Sequence, residues 1–508
     1  MLNSIYLENF QGFAAGQEIS LKPLTLIFGP NSSGKSSILR AIRFAQQSLN
    51  ENRFERSTNF IGAGSYVDLG SFMTIVNGHD VTKTIKIGIG VDGLSIKAAN
   101  GKHELRKIIF EIGPNLQSLS IGYEGTFEFK DDEPRDFFLK FERTKSDDLH
   151  STDWLLDAES LSEFELIASS WLGKNSLPWS LDIPADAKKT TPVEPSGAQI
   201  EEVLQLVRDN KWEMVGFSPR RAIDLATHMK SGASASSNST PPWLRAIQLT
   251  DIGPEGMLRR LLGRLRSSLS KEFVPFIGPL RAVPERITFV SGSTVSEMTD
   301  GSDLAAALAA NVRVRKVISN WLLRATEGTY ELDYIPFDGA AIKAFGQAGA
   351  LVLRDVKSQT EVSFADAGTG LSQILPNLEK LALFKTSKNA SSQRPTDKSI
   401  LIEQPELHLH PKMQSDLLSL FVTHVSDNPN RNQIIAETHS ESMILRLQSE
   451  IRRGTIEPSN VAVLYVDKDP DAGNTRVSSY ELASDGEFVT QWPVSFSDLR
   501  LAEIRGEF

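Results

Sequence analysis

Residues 24–39 constrain this chain more than any other stretch. Leu24 to Phe28 is an unbroken apolar run of the kind found in buried strands, and from Ser37 onward Ile38, Leu39, Ile42 and Phe44 recur at helical spacing. Between them stands Gly29-x-x-x-x-Gly34-Lys35-Ser36, the spacing of a phosphate-binding P-loop. The glycines let the backbone turn tightly enough for consecutive N–H groups to face an anion. Lys35 is expected to place its charge on the β- and γ-phosphates of a nucleotide, and the Ser36 hydroxyl to join a Mg²⁺ shell. Asn31, Ser32, Ser33 and Ser37 complete the candidate phosphate cradle, and the helix beginning near Ser36 turns its positive end to the same place.

The remainder of the chain must be built around that unit. At 508 residues it is too long for one ordinary core, so two or three domains are expected. A hydrophobic content of 40% with 23% charged residues is that of a soluble globular protein, and no window approaches an uninterrupted apolar membrane span. Met1-Leu2-Asn3-Ser4 does not open a secretory signal, and the chain has no cysteine. Disulfides, a cysteine nucleophile and thiolate metal sites are thereby excluded, and a cytoplasmic location is the default expectation. A net charge of −10 argues against a protein that coats nucleic acid over its whole surface.

Residues 4–10 and 19–28 read as strands, and alternating runs at 83–88, 94–98 and 107–112 predict further antiparallel strands to about residue 145. From about 145 to 275 the pattern becomes irregular and mainly helical. It includes Ile200–Val207 at helical spacing and the low-complexity segment Ser231–Pro242. Met257–Leu269 is amphipathic: Leu258, Leu261, Leu262, Leu265 and Leu269 should face inward. Its other face carries Arg259, Arg260, Arg264 and Arg266, the best local candidate for a phosphate-backbone or partner contact, although a solvated basic face is the plainer reading. Residues 303–325 predict helix, and 329–335 and 350–356 predict strands.

Ser399 to Glu406 is an apolar strand that ends in acidic residues, where a buried parallel strand would deliver carboxylates to a metal beside the P-loop. Arg431 to Ser440 is a second short strand, ending in His439. Before both comes Phe364-Ala-Asp366-Ala-Gly368-Thr-Gly370-Leu-Ser372-Gln373, a glycine-rich turn that opens an apolar helix and offers another anion site.

In this order the P-loop, glycine-rich turn, acidic strand and strand-histidine resemble the ATP-binding-cassette head of the RecF/SMC/OLD-like ATPases. The resemblance covers about 1–100 and 275–508 and is specific at Gly29–Ser36, Asp366–Gln373, Glu403–Pro411 and Glu437–Ser440. It implies an α/β P-loop NTPase head, a mixed sheet with flanking helices, split into lobes 1–145 and 276–508 by a mainly helical insertion at 146–275. It implies ATP and Mg²⁺ as cofactors, with Glu403 and Ser36 on the metal and His439 at the γ-phosphate. It further implies an oligomer, at least a dimer, in which Asp366, Gly368, Gly370 and Ser372 of one head complete the ATP site of another. Either Asp366 or the backbone at Gly368 and Gly370 would face the phosphate. Glu403-Gln404-Pro405-Glu406-Leu-His408-Leu-His410-Pro411 is typical of the OLD-like branch, which includes stand-alone ATPases of phage defence, so a separate effector nuclease or toxin is an expected partner.

Where related heads place a glutamate before the proline, this chain has Gln404, which cannot accept a proton as a general base. Either Glu406 takes that role, or the site is a slow switch. Two other functions compete: a transporter ATPase subunit, disfavoured by the large insertion, and a metal-dependent nuclease using His408, His410, Glu403 and Glu406.

Overall fold

The computed structural model describes residues 1–50, 66–98, 101–114, 118–129, 133–143, 153–173, 208, 212–215, 218–221, 254–270, 272, 274–290, 301–339, 347–386 and 398–492. The predicted helix Ile200–Val207 and the low-complexity segment Ser231–Pro242 lie outside them. The chain divides into two compact units: Met1, Leu21–Ser36 and Lys271–Phe508 form the first, Leu2–Ser20 and Ser37–Ser270 the second.

The first unit is built on a six-stranded sheet whose order is Phe276–Ile277, Lys398–Glu403, Asn432–Glu437, Leu24–Phe28, Val461–Lys468, Thr475–Tyr480. The first five run parallel and the last closes an antiparallel hairpin. All five residues of the P-loop strand Leu24–Phe28 are buried, as an unbroken apolar run requires when the strand has a parallel neighbour on each side. Helices Val312–Ala325, Thr369–Thr386, Pro411–Asp427 and Glu441–Arg452 share one core with this sheet; Ile318, Leu378, Phe421 and Leu447 are among its members. Two of these helices begin at a side-chain cap. Asn311 accepts from the Val314 amide, and Ser440 accepts from the Met443 amide. Beyond Tyr480, Phe488 and Trp492 stack on each other, and Trp492 meets Phe28, Tyr465 and Tyr480 edge-on.

The second unit holds a ten-stranded sheet, antiparallel throughout among the described residues. Its alternating runs match the period-two sequence reading: in Arg135–Arg143, Phe137, Leu139 and Phe141 are buried while their neighbours face outward. Helix Pro254–Ser268 buries Leu258, Leu261, Leu262, Leu265 and, just past its end, Leu269, as its spacing predicts. Two of its arginines are engaged inside the unit: Arg264 donates to the Ser95 carbonyl and Arg266 to that of Asn50. The stretch 146–275 also contributes strands Asp153–Leu156, Trp212–Val215 and Ser218–Arg221 to the sheet edge beside helix Ala158–Gly173. Runs of four residues are too short for periodicity to separate from helix.

Candidate active site

The P-loop joins the C-terminal end of its strand to helix Lys35–Asn50. Gly29 has φ 146° and an added Cβ would lie 2.0 Å from the Val466 carbonyl oxygen; Gly34 has φ 108° and its Cβ would meet the Thr475 side chain at 2.6 Å. Both positions therefore exclude any other residue. Thr475 also donates to the Ser33 carbonyl at 2.8 Å, so the C-terminal hairpin supports the loop from beneath. Asn31 and Ser32 are exposed at the loop tip, Ser32 with φ 60°, while Ser33 and Ser37 are buried.

Lys35 is buried, and its ammonium donates to the carbonyls of Gly29 at 3.1 Å and Pro30 at 2.7 Å. Burial lowers its pKa, opposed by the nearby carboxylates of Glu437 and Glu406. Glu437 is the acidic residue that meets the P-loop. Its Oε2 accepts the Ser36 hydroxyl at 2.7 Å and its Oε1 lies 3.9 Å from Lys35 Nζ. Sequence reasoning assigned Glu437 no role, although it stands two residues before His439 at the end of the same strand. Glu403 is its register partner on the next strand outward. The histidine strand thus lies between the acidic strand and the P-loop strand.

Gln404, immediately after the acidic strand, has φ 45°, and its amide donates to the Glu437 carbonyl at 2.8 Å. A non-glycine residue in that region marks a backbone held by its surroundings. Glu406 is buried and its Oε1 accepts the His439 amide at 2.6 Å, while Oε2 has no hydrogen-bond partner among the described residues. Burial raises the Glu406 pKa, against the opposing pull of the His439 amide, Thr438 and Arg281. His439 is half-buried; burial and then the Lys35 charge lower its pKa, so its imidazole is neutral at neutral pH.

Arg281 is the second residue that sequence reasoning missed. Its guanidinium donates to the carbonyls of Gly278, Gln373, Glu403 and Gln404 at 2.9–3.2 Å. Gln373 returns a bond to the Arg281 carbonyl at 2.8 Å. One buried side chain thereby ties the glycine-turn helix Thr369–Thr386 to the end of the acidic strand. Burial lowers its pKa to about 10, which leaves it charged and able to offset Glu406. Of the turn itself, Asp366 pairs with Arg286 at 2.6 Å, Gly368 is exposed with φ 80°, and Ser372 is buried. An added Cβ at Gly370 would lie 2.7 Å from the His408 carbonyl oxygen.

The donors at Ser36 suit magnesium, which takes a hydroxyl and one or two carboxylates when phosphate oxygens and waters complete its shell. His410, by contrast, accepts the Lys412 amide as the cap of helix Pro411–Asp427. No three His, Asp or Glu side chains converge on a possible metal position among the described residues.

A family model described as "AAA domain, putative AbiEii toxin, Type IV TA system" matches residues 24–445. Over 145 residues the chain is 30% identical to the chromosome partition protein Smc of Halothermothrix orenii, a match that takes in 25% of this chain and 12% of that protein. Among solved structures, the SMC head domain from Thermotoga maritima is 11% identical with a TM-score of 0.36, covering 95% of this chain and 99% of that one. An Smc head with an extended coiled coil, bound to the C-terminal domain of ScpA derived from Pyrococcus furiosus, is 11% identical with a TM-score of 0.37 and covers 99% of each chain.

Proposed function

The chain belongs to this family of AAA-domain P-loop ATPases, and on that premise we propose that it is a switch whose heads associate around ATP and separate after hydrolysis. The observation that carries the reading is the glycine turn. Gly368 is exposed at the start of an 18-residue helix, whose first-turn amides and dipole favour an anion. The segment beside it exposes Leu280 at 80% and Phe289 at 66%, with Val283 and Ile287 about half exposed, apolar area suited to burial against a second copy. Arg286 pairs with Asp366, which leaves the backbone, rather than that carboxylate, to meet a partner's phosphates.

Within its own head, Lys35 and Ser36 would hold the triphosphate and Mg²⁺, and Glu437, with Glu403 beside it in register, would supply carboxylates to the metal. Neutral His439 donates to the γ-phosphate. Glu406, with its raised pKa, accepts the proton of the attacking water, and Gln404 orients that water without taking the proton. The partner's glycine turn would meet the outer oxygens of the γ-phosphate. The switch would act on a separate effector protein in a DNA-related or antiviral role; the family description, which reads putative AbiEii toxin of a type IV system, bears on that setting and names no partner.

Sedimentation with a non-hydrolysable ATP analogue and Mg²⁺ tests the association. Gly368→Asp is the informative variant: nothing among the described residues lies within 4 Å of its Cβ position, and aspartate is among the few residues that accept its φ of 80°, whereas a side chain at Gly370 would disturb its own head. Wild type should assemble only with nucleotide. Gly368→Asp should bind nucleotide yet stay unassembled. Equal assembly of both, with and without nucleotide, would overturn the shared site.

A further inference from the structure

We infer that the end of the six-stranded sheet remote from the P-loop carries a second ligand site, for a small organic anion with an apolar or aromatic body. A cavity of about 340 Å³ opens there among helices Val312–Ala325, Thr369–Thr386 and Pro411–Asp427. Lys398 and Asn432, the first residues of the acidic and histidine strands, line it. Glu403 and Glu437 stand at the other ends of those strands, so the cavity is separate from the nucleotide site. Its volume falls at the lower end of small-molecule pockets, about 300–1,000 Å³.

The lining has two characters. Ile318, Trp321, Leu378, Leu381 and Leu420 supply an apolar wall. Among the described residues, Arg324, Lys385, Lys398 and Arg431 also line it, against one acidic residue, Asp427. Four cations to one anion is a marked local reversal in a chain whose net charge is −10. The Phe384 ring stacks on His424 at 5.8 Å between centroids, and Lys398 Nζ lies 5.3 Å from the same ring. His424 lines the cavity too and is 8% exposed. Cationic rim, apolar wall and aromatic floor together describe an amphipathic anion about the size of a mononucleotide.

The test uses the full chain and anilinonaphthalene sulfonate as the probe, with its uncharged analogue phenylnaphthylamine. Arg324→Glu/Lys385→Glu reverses two exposed rim charges, and Thr423→Trp fills the cavity from an exposed lining position. Wild type should bind the sulfonate saturably, and Lys35→Ala should leave that binding unchanged. The charge reversal should weaken it by about tenfold or more but spare the uncharged analogue. Thr423→Trp should weaken both probes. Sulfonate affinity unchanged in both folded variants would overturn the site, and so would an uncharged analogue that binds wild type as tightly as the sulfonate. If one variant does not fold, the other still decides the matter.

Discussion

Ser36 Oγ donates to Glu437 Oε2 at 2.7 Å, joining residues 401 positions apart in the chain. The pair puts a carboxylate against the hydroxyl proposed to meet magnesium and within 3.9 Å of the Lys35 ammonium. Glu437→Gln should keep the hydrogen bond but lose the charge. ATP turnover is expected to fall by roughly 10²-fold, with the Mg²⁺ concentration needed for half-maximal rate raised. A Mg²⁺ titration of the steady-state rate checks this. An unchanged rate and Mg²⁺ dependence would give the metal to Glu403 alone.

Glu406→Gln separates stability from catalysis. In the folded chain the Glu406 pKa lies above its ordinary value, so its contribution to stability is complete at low pH and is lost as pH rises through the raised value. The neutral isostere should therefore melt higher than wild type at neutral pH. Turnover should fall by about 10²-fold or more while nucleotide affinity holds. The wild-type rate should climb with pH through the raised pKa, and the variant should lack that limb. Normal turnover in Glu406→Gln together with acceleration by Gln404→Glu would assign the base elsewhere.

Arg281→Lys keeps a charge but cannot reach the carbonyls of Gly278, Gln373 and the Glu403–Gln404 segment with one planar fork. Unsatisfied buried carbonyls cost about 1–3 kcal/mol each, so chemical denaturation should show a loss on the order of 2–4 kcal/mol. Turnover should drop further than stability alone explains, because the turn helix and the acidic strand lose their common tie. Wild-type rates in a destabilised Arg281→Lys would leave it a purely structural residue.

His424 should make the protein acid-sensitive. Burial, and then the Lys398 charge, lower its pKa from 6.5 to about 4. A depressed folded value means that the stabilisation is complete above the unfolded pKa and disappears as pH falls toward about 4. The integrated loss is on the order of 3 kcal/mol. Buried His103, also lowered to about 4 by burial, adds a contribution of the same sign. Melting temperatures between pH 7 and pH 4 should fall less steeply in His424→Phe than in wild type; parallel slopes would refute the assignment.

What the sequence determined was local. The run Leu24–Phe28, the glycines at 29 and 34 and the helix after Lys35 define a P-loop because strand, turn and helix are each written in neighbouring residues. The acidic and histidine strands were legible for the same reason. Tertiary structure decided which strand lies beside which. The histidine strand is inserted between the acidic strand and the P-loop strand, and so Glu437 rather than Glu403 meets Ser36. It also brought Arg281 to Gln373 and Glu403, and Thr475 beneath Ser33 and Gly34. Periodicity records which face of an element is buried and says nothing about its neighbour. Non-local pairing follows from how whole elements share a core, and in this chain that pairing assembles the carboxylates around the phosphate loop.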